Sequence, residues 1–207
     1  MKNKIVLFDI DHTLFNTATF VDNVYKVHAN LLSKEAFYKV MEEVRIGLDQ
    51  ALEEEGTIKA SIVKALWEQA NLFSNLYEET PDVLKLLSKQ STLGIFSKGD
   101  ERFQKKKLKP ILHFFDEKNI HIASNKYNLL PDAIKEYKDY KIIIVDDILN
   151  VLYQAKKLNK DITTVLVKRP VYHETYLANQ KPIEGFTPDF TVSNLRDIIP
   201  IVSNDVR

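Results

Sequence analysis

The sequence predicts an α/β protein: a doubly wound, Rossmann-like parallel sheet with an all-helical segment inserted after the first strand. Two observations carry that expectation. Short apolar runs, rich in β-branched and aromatic residues, alternate with amphipathic stretches of about ten residues, the pattern of a parallel sheet covered by helices on both faces. Between Phe15 and Thr80 the alternation stops and helical spacing takes over.

Four runs carry the strand signature: Ile5–Phe8, Thr92–Phe96, Ile142–Val145 and Thr163–Val167. Each is short and apolar, as expected of a strand buried on both sides. Pro81 to Lys89 reads as a helix, with Pro at an early position, where its missing N–H costs nothing, and Val83, Leu84, Leu86 and Leu87 on one side. Ile148 to Leu158 repeats the pattern with Val151, Leu152, Ala155 and Leu158. From Phe15 to about Thr80 there is no convincing strand, no Pro, and only Gly47 and Gly56. Phe20, Val24, Val27 and Leu31 recur at helical spacing there, as do Ile62, Leu66, Ala70 and Phe73. The expected partition is a core of residues 1–14 and 81–207 with a helical cap at 15–80. After Lys168 the residues Pro170, Pro182, Gly185 and Pro188 indicate loop, with a short strand near Phe190–Val192.

Composition narrows the function classes. A chain of 207 residues with 44% apolar and 28% charged side chains can build a core, which excludes disorder as a description of the whole. Lys and Arg number 29, as do Asp and Glu, so no net charge draws the chain to nucleic acid or an anionic membrane. With no Cys, disulfides and thiolate-bound metals are excluded, and any metal is held by oxygen or imidazole. The apolar run Ile5–Phe8 is too short for a signal peptide, and none approaches the ~20 residues of a membrane span. The expected setting is the cytoplasm.

Three strand ends carry chemistry. Directly after the first strand stands Asp9-Ile10-Asp11-His12-Thr13, where ligands bind in open α/β sheets. While the chain stays extended, Asp9 and Asp11 point the same way and can converge on one ligand; capping of the following helix is the plain alternative. The third strand ends in Asp146-Asp147. If the two strands are neighbours, up to four carboxylates meet, and two of them ~5 Å apart repel by roughly 3 kcal/mol at an effective dielectric of 20. An all-oxygen site of this kind suits Mg²⁺, although a raised carboxyl pKa or a helix cap would also explain the pair. The second strand ends in Phe96-Ser97-Lys98-Gly99-Asp100, where a hydroxyl and exposed backbone N–H groups can hold an anion. Lys126 is one lysine among many.

Taken in order, these motifs resemble the haloacid dehalogenase superfamily in its phosphatase branch. The likeness covers nearly the whole chain: the nucleophile loop from Asp9 to Thr13, Ser97 after its strand, Lys126, and Asp146-Asp147. The segment 15–80 looks like the family's cap domain. The resemblance implies that Asp9 attacks phosphorus to form an aspartyl-phosphate, and that Asp11 protonates the leaving group and then activates water. It further implies Mg²⁺ held by the Asp9 carboxylate, the Asp11 carbonyl and an acid of the last motif, with Asp147 favoured over Asp146. Thr13, Ser97, the Lys98 N–H and Lys126 would hold the phosphoryl oxygens. Two positions depart from the pattern: Asn150 or Val151 stands where many relatives have another acid, and Lys98 replaces a frequent Asn.

The implied activity is Mg²⁺-dependent hydrolysis of a small soluble phosphomonoester. A phosphomutase shares every residue named so far. Dehalogenation fits less well, since it needs no proton donor at Asp11. A binding module that is only phosphorylated on Asp is the non-enzymatic alternative. The other notable residues have plainer readings: His12 as a hydrogen-bonded structural residue, and Arg102, Lys105, Lys106, Lys107 and Lys109 as a solvated helix face. Glu53-Glu54-Glu55 reads as a solvated loop or helix end, and Trp67, Phe73 and Tyr77 as cap core.

Overall fold

The computed structural model describes residues 3–44, 56–69, 75–169 and 181–203. Its strands are β1 (Asn3–Phe8), β2 (Thr92–Lys98), β3 (Ile120–Ala123), β4 (Tyr140–Asp146), β5 (Thr163–Val167) and β6 (Phe190–Val192). They form one sheet in the order β3-β2-β1-β4-β5-β6, and every neighbouring pair is parallel. Between β1 and β2 the chain forms α1 (Thr17–His28), α2 (Lys34–Val44), α3 (Ile58–Gln69) and α4 (Thr80–Leu87). Then come α5 (Glu101–Leu108), α6 (Lys126–Glu136), α7 (Leu149–Leu158) and α8 (Ile198–Ser203). The expected α/β core is thus present. Gly47, Glu53, Glu54, Glu55, Ala70, Phe73 and Pro170 lie outside the described residues.

Strand alternation explains why both faces are covered. Val6, Phe8, Ile143, Val145 and Val165 bury on one face, with residues of α4, α5 and α8. Ile5, Leu7, Ile142, Ile144 and Leu166 bury on the other, with Leu130 and Ala133 of α6 and Val151, Leu152 and Ala155 of α7. Gly94 is required by close packing: a Cβ there would stand 2.7 Å from Leu7 Cδ2 and 2.8 Å from the Asn119 carbonyl.

Away from the strand-end acids and the basic helix, the structure differs from the sequence expectations in four places. β3 is an additional edge strand, half-buried along its length, so it lacks the apolar run that marks the central strands. Val27 and Leu31 are 63% and 66% exposed, because the buried stripe of α1 runs Phe20, Val24, His28. His28 takes the place expected of Val27 by bonding Ser61 Oγ on α3 at 3.0 Å. Leu86 is exposed because it sits about 100° around α4 from the buried Leu87. Leu158, the last residue of α7, is exposed.

The helical segment joins the core by two connections that run side by side. Phe15 bridges Leu76, Asn16 N–H donates to the Asn75 carbonyl at 2.7 Å, and Tyr77 N–H donates to the Leu14 carbonyl at 3.1 Å. Its helices pack on α5 through aromatic contacts: Phe103 lies 6.2 Å from Phe20 and 5.4 Å from Trp67, measured between ring centroids.

Candidate active site

The sheet order places β1 between β2 and β4, where the strand order reverses and α/β sheets bind ligands. Phe8 pairs with Val145, and the Asp9 N–H continues the ladder to the Val145 carbonyl at 2.9 Å. Asp9 therefore stands beside Asp146, as the sequence anticipated for adjacent strands. Lys126, the first residue of α6, reaches into the same place: its Nζ lies 2.8 Å from Asp9 Oδ1 and 2.7 Å from Asp146 Oδ2. A cation at a helix N-terminus faces the wrong end of the dipole, so these two carboxylates are what hold it. Burial pulls the Lys126 ammonium down, but Asp146 and Asp9 outweigh that and raise it above its ordinary value. Burial raises the Asp9 carboxyl to about 7, reinforced by Asp146 and opposed by Lys126. Asp146 is also raised by burial, against the pull of Lys126.

Asp9, Asp146 and Asp147 are all buried, with one carboxylate oxygen of each within 4.8 Å of the others. Lys126 meets two of these three carboxylates, Asp9 and Asp146. A cation bound at about 2.1 Å holds ligands up to about 4.2 Å apart, so a small inward movement would let these oxygens share one. Both oxygens of Asp146 are engaged, Oδ1 by the Ile148 N–H at 2.8 Å and Oδ2 by Lys126. The residues fit a hard divalent ion held by oxygen.

Two buried hydroxyls stand without a partner among the described residues: Ser97 Oγ and Thr13 Oγ1. Ser97 lies within the end of β2 rather than after it. A buried polar group left unpaired costs about 1–3 kcal/mol, a cost that ligand oxygens would relieve. The Lys98 side chain is exposed, and its carbonyl accepts from Gln104 Nε2 at 2.7 Å.

Asp11 does not join Asp9. The chain is not extended between them and Thr13. His12 has φ 60, and the N–H groups of Thr13, Leu14 and Phe15 all fold back on the Ile10 carbonyl at 3.2, 3.0 and 2.9 Å. The Asp11 carboxylate stays outside the three-carboxylate cluster and is gripped by α5 and α1. Lys107 Nζ lies 2.8 Å from Oδ1 and 3.1 Å from Oδ2, Gln104 Nε2 donates to Oδ2 at 2.8 Å, and Thr17 Oγ1 donates to Oδ1. Burial alone would raise this carboxyl, but Lys107, with the hydrogen bonds from Thr17 and Gln104, holds it far below the ordinary range.

The solvated-face expectation for the basic run therefore fails at Lys107, whose side chain is 5% exposed. Gly99 makes room for this arrangement: its φ is +145, and a Cβ there would meet Gln104 Nε2 at 2.8 Å. Helical spacing could have found both residues, because Gln104 and Lys107 share the buried stripe of Phe103 and Leu108. His12 is buried.

Sequence reasoning missed a second buried ion pair. Arg169, two residues past β5, places Nη1 2.6 Å from Glu79 Oε1. Its Nη2 donates to the Thr13 carbonyl at 2.9 Å, and its guanidinium lies 3.6 Å over the Tyr77 ring. It thereby ties the loop after Asp9 to the second connection of the helical segment. Burial, with Asp147, Glu79 and Asp11 nearby, raises the Tyr77 hydroxyl to about 12 against the pull of Arg169.

Comparison with known proteins agrees with the geometry. The fold is that of haloacid dehalogenase-like hydrolases. A hydrolase of that kind from Burkholderia xenovorans superposes with a TM-score of 0.75 at 21% identity, over 97% of each chain. A HAD hydrolase from Bacillus subtilis, bound to magnesium, gives 0.67 at 15% identity over 99% of this chain and 100% of that one. L-2-haloacid dehalogenase from Xanthobacter autotrophicus, with chloropropionic acid covalently bound, gives 0.67 at 14% identity over 99% and 100%. No protein-family model and no curated protein matches the sequence.

Proposed function

We propose that the protein is a member of the haloacid dehalogenase superfamily that hydrolyses a small, soluble phosphomonoester in the cytoplasm with Mg²⁺. The observation that carries this reading is the buried cluster of Asp9, Asp146 and Asp147. Displacing halide from a haloacid by a carboxylate needs no cation beside the nucleophile. Bringing a phosphate dianion to a buried carboxylate does, because like charges repel strongly where water is excluded.

Asp9 attacks phosphorus and becomes the aspartyl-phosphate, while the ester oxygen leaves. Lys126 lies against Asp9 and offsets the charge that gathers there. The hydroxyls of Ser97 and Thr13 and the Lys98 N–H donate to the phosphoryl oxygens, supplying donors that the oxygens lose on leaving water. Asp11, held ionised by Lys107, Gln104 and Thr17, has first to take up a proton from solvent on a freed oxygen. It would then give that proton to the leaving oxygen and take one from the water that cleaves the aspartyl-phosphate. Mg²⁺, held by the Asp9 carboxylate, the Asp11 carbonyl and Asp147, with Asp146 beside it, would neutralise phosphate charge. Residues 15–80 act as the cap. Their connections flank the nucleophile loop through Phe15 and Leu76, so a bulky phosphoprotein surface is obstructed and a small ester is admitted.

A second reading rests on the haloacid dehalogenases among the structural neighbours: the same Asp9 would displace halide from a 2-haloacid. A screen of sugar phosphates, nucleoside monophosphates, phosphoglycolate and 2-haloacids, with and without Mg²⁺, separates them. Mg²⁺-dependent release of phosphate is expected. Halide release without phosphate release would overturn the proposal, and conversion of one sugar phosphate to another would make the protein a mutase.

A further inference from the structure

The four hydrogen bonds on Asp11 come from two different parts of the molecule. Three are made by α5, two from Lys107 and one from Gln104; the fourth comes from Thr17, at the start of α1. A carboxylate offers about four lone-pair sites, so Asp11 as it stands is saturated. To exchange a proton with a leaving group or a water it must lose one donor. Thr17 is the one donor that belongs to the helical segment, and its withdrawal would free a site on Oδ1. Lys107 and Gln104 then still hold the carboxylate from the core.

The surroundings of Lys107 fit that task. Its ammonium lies 4.8 Å from the ring centroid of Phe103, 5.3 Å from Phe15 and 5.9 Å from Phe20, and Asp11 is its ion-pair partner. An aromatic box restricts a flexible side chain and favours the cation within it. Gln104 is fixed just as firmly. Its Nε2 donates to both Asp11 and the Lys98 carbonyl, so exchanging its amide O and N would set oxygen against two acceptors.

We propose that Lys107 and Gln104 are positioning residues, which orient the Asp11 carboxylate from α5 independently of the donor on the helical segment. The proposal rests on the phosphatase reading, in which Asp11 handles the protons. Neither residue touches the phosphoryl group; both act through Asp11.

The test uses p-nitrophenyl phosphate with Mg²⁺ and compares wild type, Lys107→Met, Gln104→Met, Asp11→Asn, and each Met variant combined with Asp11→Asn. Methionine keeps the length and apolar stem that the box packs against, and the melting temperature of every variant verifies folding. Having two separate Met variants keeps the test decisive if one of them fails to fold. Each Met variant should lower kcat by about 10- to 100-fold, the scale of a small misplacement of a reacting group, with KM unchanged or lowered in step as hydrolysis of the aspartyl-phosphate becomes limiting. In the Asp11→Asn background the same changes should cost less than about twofold, because the residue they position is gone. Unchanged kcat, a loss confined to KM, or a loss that persists in full without Asp11 would each overturn the proposal. A folded wild type that releases no phosphate would instead overturn the phosphatase reading, and this proposal with it.

Discussion

The Lys126 ammonium lies 2.8 Å from Asp9 Oδ1 although the two residues are 117 positions apart. Both are buried, and the same ammonium also holds Asp146. The central strand, the neighbouring β4 and the helix after an edge strand thus meet at one cation. The site's stability and its chemistry depend on the same charges.

Lys126→Met should be costly for that reason. Removing one partner of a buried ion pair costs about 3–5 kcal/mol, and here two carboxylates lose their counter-charge. Urea unfolding in EDTA measures the loss. Added Mg²⁺ should restore more stability to the variant than it gives the wild type. A variant as stable as wild type in EDTA would show that Asp9 and Asp146 do not depend on this counter-charge.

Mg²⁺ itself should stabilise the fold. At a hundredfold excess over its Kd, a ligand that binds only the native state adds about 2.7 kcal/mol, several degrees in Tm for a chain of this size. Asp147→Asn should abolish most of that rise. Activity should vanish in EDTA, return with Mg²⁺ and return poorly with Ca²⁺, whose longer and more numerous bonds favour bidentate carboxylates. Full activity without metal would contradict the assignment.

Asp11→Asn should destabilise the protein as well as slow it, because Lys107 would be left in its box without a counter-charge. Asp11→Asn combined with Lys107→Met should be more stable than Asp11→Asn alone. The unfolding free energies of the three proteins test this; a double variant weaker than the single one would count against the pair.

The Glu79–Arg169 pair predicts part of the acid limb of stability. Burial would raise the Glu79 carboxyl, but hydrogen bonding from Arg169 lowers it below its ordinary value of 4.5. A group lowered on folding contributes stability that is complete above the unfolded value and is lost as pH falls through the folded one. Stability should therefore decline below about pH 4.5 with a component that Glu79→Gln removes. An identical acid limb in the variant would show that the pair contributes nothing.

How legible each part was in the sequence follows from where its information lies. β1, β2, β4 and β5 are buried on both faces, so Ile5–Phe8 and Ile142–Val145 announce themselves as unbroken apolar runs. β3 is a half-buried edge that contains His121, and nothing in its composition separates it from loop. The geometry brings Asp9, Asp146 and Lys126 together. Lys126 was singled out by the family resemblance alone, since the strand before it was not visible, whereas Asp9 and Asp146 were legible because strand ends concentrate chemistry. The Asp11 grip was not, because its partners Gln104 and Lys107 lie in a basic helix about ninety positions away and look like solvated charge. Glu79 and Arg169 carried no signal, since each is an ordinary charged residue beside a connection.

The most direct test of the account is to trap the intermediate on Asp9. Wild type and Asp11→Asn are mixed with p-nitrophenyl phosphate and Mg²⁺, quenched in acid within milliseconds, digested, and the peptides weighed. The account predicts one added phosphoryl group on the peptide that holds Asp9, greater in Asp11→Asn than in wild type, and absent from Asp9→Asn. Steady phosphate release with no phosphoryl group on Asp9, or with one on another residue, would contradict it.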